Sequence, residues 1–547
     1  MSADTTTPAE PRPARLTFGV ELEFLIPYLG PRAEDPLGHV VGLPPLFRFT
    51  AQEVNQVRGG FQPVDVVHDR LKALLTSHGV DVDVRAYDYK SAFEARILGK
   101  YSGWLVEEDY SVQEDNPDLK NIYGWVGVEV ISPVEPDVPV AFEIIDYVRR
   151  LLTTTYRCRV NPSTGLHVHV GQGAERFPLQ SMKRIASLIW SVENILATLN
   201  HPSRRAHYYA RMIRIWSRLS KGRASGNGPE HENLPRRMAR MPGATFAERP
   251  LSAPRLCLHY IAADLRHGEQ PISWREMEEN NQTEQMEAFQ ATRKEGCFDP
   301  FQYNPKPESE SVESEVTRKS QREYVDSVLD KGLSLDQEIE GRLEGVTEPS
   351  LETEIPRRNP RSRTIPRIKY PHYSAEQLDA YVEKLTASGG GGLRFKTAPE
   401  DPGVWEGVKQ ISESPSSCDI EYLLNPGDRG YISFRAYSCE YTNESHHIDR
   451  TLEFRGAEGT LGEWVVTWAK ICIGLIRFAI QAPPDEFLRV LEDCDIGERM
   501  DGFFDVIDLI DTIGLPAEAA IAEKRIEENK VAWNLEYVTT GTKRAFQ

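Results

Sequence analysis

Cysteine is scarce and scattered: Cys158, Cys257, Cys297, Cys418, Cys439, Cys472 and Cys494 are the only seven in 547 residues. The number is odd and no CxxC pair occurs, so a disulfide framework or a zinc ribbon is not expected. A reducing compartment, the cytoplasm, is the expectation. Positive charge is also short: 64 Lys and Arg face 83 Asp and Glu, a net charge of −19. Such a chain is a poor fit to a nucleic-acid groove or an anionic membrane. Nucleotides stay open, because Mg²⁺ can bridge acidic groups to phosphates. Long apolar runs are nearly missing. The N-terminal MSADTTTPAEPRPA has no apolar core of a secretory signal. The most apolar helix, about 463–481, carries Lys470 and Arg477, which points to a buried core helix rather than a membrane span. No internal repeat is present.

What remains is a globular composition, 40% hydrophobic and 27% charged, in a length that accommodates roughly two to four domains. LTFGVELEFLI (16–26) alternates as a strand. PVDVVHDRLKALLTSHG (63–79) carries a helical stripe ending in Gly79. A strand at 81–86, then WLVEEDYSV and GWVGVEVISPV, extend the β pattern. Helices are predicted over 140–152 and across SMKRIASLIWSVENILATLN, with the strand GLHVHVG between them. From about 276 to 370 the chain is polar and charged and reads as disordered, with a short element near 251–265 before it. The glycine run in SGGGGLRF (388–395) suits a linker better than a phosphate cradle. IEYLLNPG, YISFRAY and RTLEFRGAEGT then read as returning strands, followed by the apolar helix and C-terminal helices. Strands that follow one another without a helix between them predict an α+β fold with a mainly antiparallel sheet.

Four strand segments carry polar groups where strands are otherwise apolar. Glu21 and Glu23 are two residues apart and share a face. The bland explanation is the wet side of an edge strand. Glu129 stands alone among apolar neighbours. His167 and His169 share a face, as do Glu453 and Arg455, with Glu458 in the turn beyond. Buried carboxylates side by side are costly unless a cation holds them. Carboxylates with one or two histidines suit Mg²⁺ or Mn²⁺ better than zinc. Arg455 adds a planar fork for phosphate or carboxylate.

FGVELEF, GVEVISPV, STGLHVHVG and TLEFRGAEGTL resemble, in that order, the motifs of the amidoligase family within the glutamine synthetase-like carboxylate–amine ligases. The resemblance implies a curved antiparallel sheet flanked by helices and interrupted by a long, largely disordered insertion. Together with composition and patterning, it divides the chain into an arm (1–14), a glutamine synthetase-like domain (15–225 and 420–490), an insertion (226–419, disordered around 276–370) and a C-terminal helical extension (491–547). It also implies ATP, two or three divalent ions (Mg²⁺ or Mn²⁺), and an amide or isopeptide bond made through an acyl phosphate. The partners would be a small-molecule or peptide carboxylate and an amine. By motif position, Glu23 and Glu129 would hold one metal, and Glu21, His167 and Glu453 a second. His169 would face the ATP phosphates, and Arg455 would meet the transferred phosphoryl group; Glu129 and Glu458 complete the catalytic candidates. Asp109 and Ser111 in EEDYSV look like a further family element, and Arg205 is placed near substrate. A third metal-binding acid is expected after Glu129, yet Glu135 follows Ser-Pro-Val.

Three other readings stay open. HVHVGQGAE resembles the HxH…E of cupin metal-dependent oxygenases, with Glu175 as the acid, although that leaves the ExE and LEFR strands unexplained. A non-catalytic relative would keep the sheet as a binding module. An enzyme of the same fold would instead make a phosphorylated product.

Overall fold

The computed structural model describes residues 16–60, 62–82, 103–173, 177–207, 209–221, 362–371, 402–414, 417–425, 429–437 and 451–538. Its strands are β1 (Thr17–Leu29), β2 (Phe47–Arg48), β3 (Leu105–Glu108), β4 (Gly124–Ile131), β5 (Glu135–Pro136), β6 (Gly165–Gly171), β7 (Ile432–Ser433) and β8 (Leu452–Glu458). They form one sheet in the order β3-β4-β1-β6-β8-β7, with β2 and β5 also pairing with β1. Every pairing along that path is antiparallel, and the short β2 is parallel to β1. The α+β class and the antiparallel sheet with flanking helices are as expected.

The sequence alternation explains which face is buried. Phe18, Val20, Leu22 and Phe24 of β1 stand opposite Val128 and Val130 of β4 and Leu166, Val168 and Val170 of β6. Leu452 and Phe454 of β8 continue the row, and all these side chains are buried. At roughly 25 cal/mol per Å² of apolar surface removed from water, this shared face is the main force holding the strands in register. A helical layer meets the sheet. Among the described residues the helices longer than a single turn are α1 (Ala51–Arg58), α2 (Pro63–Ser77), α3 (Pro139–Thr155), α4 (Leu179–Leu196), α5 (Gly403–Glu413), α6 (Ser417–Leu424), α7 (Trp464–Gln481), α8 (Pro484–Arg499), α9 (Val506–Thr512) and α10 (Pro516–Asn529). Among them, α2 packs on β3 and β4, while α7 packs on β1, β6, α3, α4 and α10. Among the described residues α7 is the one helix long and apolar enough to cross a membrane, yet Trp468, Ile471, Leu475 and Ile476 on it are wholly buried in protein. It is the core helix that Lys470 and Arg477 predicted.

One irregularity matters for the other face. The β6–β8 register passes from Val168 opposite Phe454 to Leu166 opposite Ala457. Two residues of β8, Arg455 and Gly456, therefore lie against His167 alone, which is a β-bulge. The bulge resets the alternation, so Glu453, Arg455 and Glu458 share the polar face while Ala457 turns to the core. Gly456 is required there: a Cβ on it would lie 2.0 Å from the Tyr431 ring.

Three expectations about organisation change. Ser417–Leu424 of the IEYLL stretch is a helix, and of YISFRAY only Ile432–Ser433 is strand, followed by a 3₁₀ turn at Arg435–Tyr437. The α5 helix (Gly403–Glu413), expected inside the insertion, packs on α4 and α8. The last part of the expected disordered stretch is also packed. Ile365, Ile368 and Tyr370 are buried, and the Ile368 amide donates to Asp505 at 2.8 Å. The polar composition of 362–371 hid this, because its few core residues are joined by an ionic attachment. Arg363 forks onto Asp505 at 2.9 and 2.8 Å, and Asp505 also caps α9. Arg363→Ala should lower stability by about 2–3 kcal/mol, the range for charge-assisted bonds to a buried carboxylate. Urea midpoints measure this; a loss below about 0.5 kcal/mol would show the segment to be held otherwise. The arm 1–14, most of the strand expected at 81–86, the element near 251–265, residues 276–361, the glycine run at 388–395 and Glu175 lie outside the described residues.

Candidate metal centre

The sheet brings the four polar segments together. β1 is central, not an edge, so the wet-edge explanation of Glu21 and Glu23 fails. Register sets Glu23 beside Glu129 of β4, Glu21 beside His167 of β6 and His169 beside Glu453 of β8. The result is a polar row across four adjacent strands, on the face opposite the helical core.

The two histidines knit the row. Glu21 reaches His167 Nδ1 at 2.9 Å through one oxygen and His169 Nε2 at 3.0 Å through the other. His167 Nε2 lies 3.2 Å from Glu23. Glu23 also accepts the Gly165 amide at 2.6 Å. Glu453 Oε1 stands 3.8 Å from His167 and 3.7 Å from His169, and it is ion-paired to Arg455. The Arg455 Nε donates to the Tyr209 carbonyl at 3.1 Å. Thr451, two residues before Glu453 and on the same face, bonds His169 Nδ1 at 2.9 Å and thereby turns Nε2 toward Glu21. Such a second partner fixes an imidazole's ligating nitrogen.

The charges are unbalanced along the row. Burial, then the charges of Glu21, Glu23 and Asp109, push the Glu129 carboxyl well above its ordinary value. Burial raises Glu23 as well, with His167 pulling the other way. Glu21 is different: burial would raise it, but His169 and His167 hold it well below the usual range. Burial likewise opposes Glu453, which Arg455 and His169 bring down. Against the cost of burial, Glu453, Glu21 and Glu23 keep Arg455 charged.

Three overlapping donor groups have ligand atoms within 4.8 Å of one another: Glu21, His169 and Glu453; Glu21, Glu129 and His167; Glu23, Asp109 and Glu129. All are oxygen-rich with at most one imidazole, the donor set of Mg²⁺ or Mn²⁺. This divides the candidates differently from the family resemblance. His169 joins Glu453 as a donor, and Glu129 belongs to two groups. The additional acid is Asp109, just beyond β3. Glu135 sits opposite Phe18, in register with the apolar face. Glu458 shares the polar face at the far end of β8 but is committed elsewhere: it pairs with Arg525 at 2.6 Å and accepts the His201 amide. The Ser111 amide shapes the turn by donating to Asp109 at 2.7 Å. Arg205 is buried and acts on Tyr431, while its neighbour Arg204 contacts β8.

A divalent ion on Glu129 would compete with a proton, since burial and the neighbouring acids push this carboxyl well above its ordinary value. Cation binding should therefore release a proton and tighten as pH rises through the elevated Glu129 value. Calorimetry in two buffers of different ionisation heat reads the release, and Glu129→Gln should remove it. A pH-independent affinity in the unaltered protein would contradict this assignment.

Residues 14–221 match a family model described as "putative amidoligase enzyme". That span contains β1 to β6, with Glu21, Glu23, Asp109, Glu129, His167 and His169. The strand carrying Glu453 and Arg455 lies beyond it and completes the row. No curated protein and no solved structure matches the chain.

Proposed function

We propose that this protein is an ATP- and divalent-metal-dependent carboxylate–amine ligase that forms an amide or isopeptide bond through an acyl phosphate. The observation that carries the reading is the row of five carboxylates and two histidines across adjacent strands, with Glu129 unable to ionise easily beside its neighbours. The family match of residues 14–221 supports the same class of ligase chemistry.

In this reading Glu23, Asp109 and Glu129 hold one cation. Glu21 and the two histidines hold another, with Glu129 and Glu453 completing it on either side. The ions neutralise phosphate charge and align the phosphoryl group with the attacking carboxylate. Arg455, kept charged and anchored to Glu453 and the Tyr209 carbonyl, supplies a preorganised donor to the phosphoryl oxygens. No protein nucleophile is needed, since the substrate carboxylate attacks the γ-phosphorus and the amine then displaces phosphate. We place the reaction in the cytoplasm, where ATP and Mg²⁺ are abundant. Hydroxylamine as the amine gives the test: ATP, Mg²⁺ and a panel of carboxylic acids should yield a hydroxamate with one ADP and one phosphate per turnover. ATP consumption that yields a stable phosphorylated product and no hydroxamate would support the phosphotransferase reading instead.

A further inference from the structure

The far end of β8 carries a contact that the ligase chemistry leaves unused. Glu458 Oε1 pairs with Nη2 of Arg525, on α10, at 2.6 Å, and Glu458 Oε2 accepts the His201 amide. The same guanidinium donates from Nε to the Leu199 carbonyl at 3.1 Å. Its Cζ stands 4.5 Å from the centre of the Trp464 ring and 5.1 Å from that of Trp533. One arginine of the C-terminal helices thus grips the last residue of β8 and the chain at 199–201 together. That chain leads into the 3₁₀ turn Pro202–Ala206, which the His201 side chain caps by accepting the Ser203 amide at 3.2 Å. The turn then touches β8 a second time. Arg204 Nη2 donates to the Arg455 carbonyl at 2.8 Å, while the Arg455 amide donates to the Tyr431 carbonyl at 2.8 Å. Arg455 lies at the β-bulge, where the regular ladder with β6 is interrupted. Its backbone therefore leans on the turn, and the turn leans on Glu458.

We propose that Arg525 is a positioning residue for Arg455: it holds Glu458 on the His201 amide and so fixes the turn that sets the bulged part of β8. The inference rests on the ligase reading for the role of Arg455, and it makes α10 a working part of the site. A carboxylate that accepts from both a guanidinium and a backbone amide is held by charge-assisted bonds in one geometry. Without Arg525, Glu458 loses its charged partner and is free to leave the amide for water. Lysine would keep the charge, but it cannot stack a planar group between two indoles while donating to Glu458 and Leu199 at once. An arginine that merely attached α10 to the sheet would change stability and leave the turn and the turnover alone.

The test uses the full chain as Arg525→Met, Arg525→Lys, Glu458→Gln and the Met/Gln double variant. Amide hydrogen exchange over 199–207, the Mg-ATP thermal shift and kcat in the hydroxamate assay are read for each. Arg525→Met should speed exchange of the His201 amide by roughly 10- to 100-fold, the range for loss of a charge-assisted bond. It should lower kcat by on the order of 10-fold or more, since small misplacements of a reacting group are costly, and keep the Mg-ATP shift. Glu458→Gln should do the same, Arg525→Lys should fall between, and the double variant should be no worse than the worse single one, because the two residues act through one contact. Three results overturn the proposal: His201 exchange unchanged in Arg525→Met, a lower melting temperature with kcat intact, or losses of kcat that multiply in the double variant. If the Met variant does not fold, Arg525→Lys and Glu458→Gln decide by the first two criteria. Absence of any hydroxamate from wild type would sink the ligase reading, and with it the role of Arg525 in turnover; unchanged exchange at His201 would sink the clamp itself.

Discussion

Glu21→Gln should abolish the stabilisation that Mg-ATP gives the protein and lower turnover by on the order of 10³-fold or more. Among the described residues Glu21 is the acid hydrogen-bonded to both histidines, at 2.9 and 3.0 Å, and it sits in two of the three donor groups. The amide keeps the shape and the β1 pairing but loses the charge. At 100-fold over Kd a ligand stabilises its protein by about 2.7 kcal/mol. Thermal unfolding with and without Mg-ATP reads that difference directly, and His167→Ala and Glu453→Ala should lose it too. The unliganded fold should survive in all three variants, because the apolar face that joins the strands is untouched. A retained Mg-ATP shift in all three would remove the row from nucleotide binding.

Arg455→Lys should lower kcat by about 10²-fold or more while Mg-ATP still binds, as when one preorganised transition-state donor is lost. Lysine keeps the charge but not the planar fork. In the structure that fork is shared: Nη1 pairs with Glu453 and lies 3.5 Å from His167 Nδ1, while Nε holds the Tyr209 carbonyl. A purely structural arginine would show binding and turnover changing together and modestly. Steady-state kinetics beside nucleotide titration separates the two, and near-normal kcat in the Lys variant would take Arg455 out of the chemistry.

The fold was legible wherever one face of an element is apolar. TFGVELEF and GLHVHVG alternate cleanly, so strand identity and the shared face of each acid or histidine pair followed from period two. Pairing partners were not legible, because nothing local tells β1 that it is central, and that position decides whether Glu21 and Glu23 meet water or each other's neighbours. Asp109 lies in the turn after β3, where no alternation points its side chain. Thr451 was readable in principle as the residue two before Glu453, yet a threonine carries no chemistry until a histidine is opposite it. The bulge at Gly456 moved Glu458 onto the polar face, and only the long-range pair with Arg525 shows that it is occupied. Residues 362–371 were not legible as packed chain because their three core residues, Ile365, Ile368 and Tyr370, are spaced irregularly among polar ones, and the Arg363–Asp505 contact leaves no hydrophobic pattern.

Manganese bound to protein carrying ¹⁵N-labelled histidine tests the central claim most directly, since it needs neither substrate. Electron spin-echo spectra should show a ¹⁵N coupling from a directly bound imidazole, reduced in His167→Ala and again in His169→Ala, and absent in Glu21→Gln where the ion itself is lost. Manganese that stays fully hydrated in the presence of the protein, or a coupling indifferent to both histidines, would contradict the assignment of this row as a metal centre.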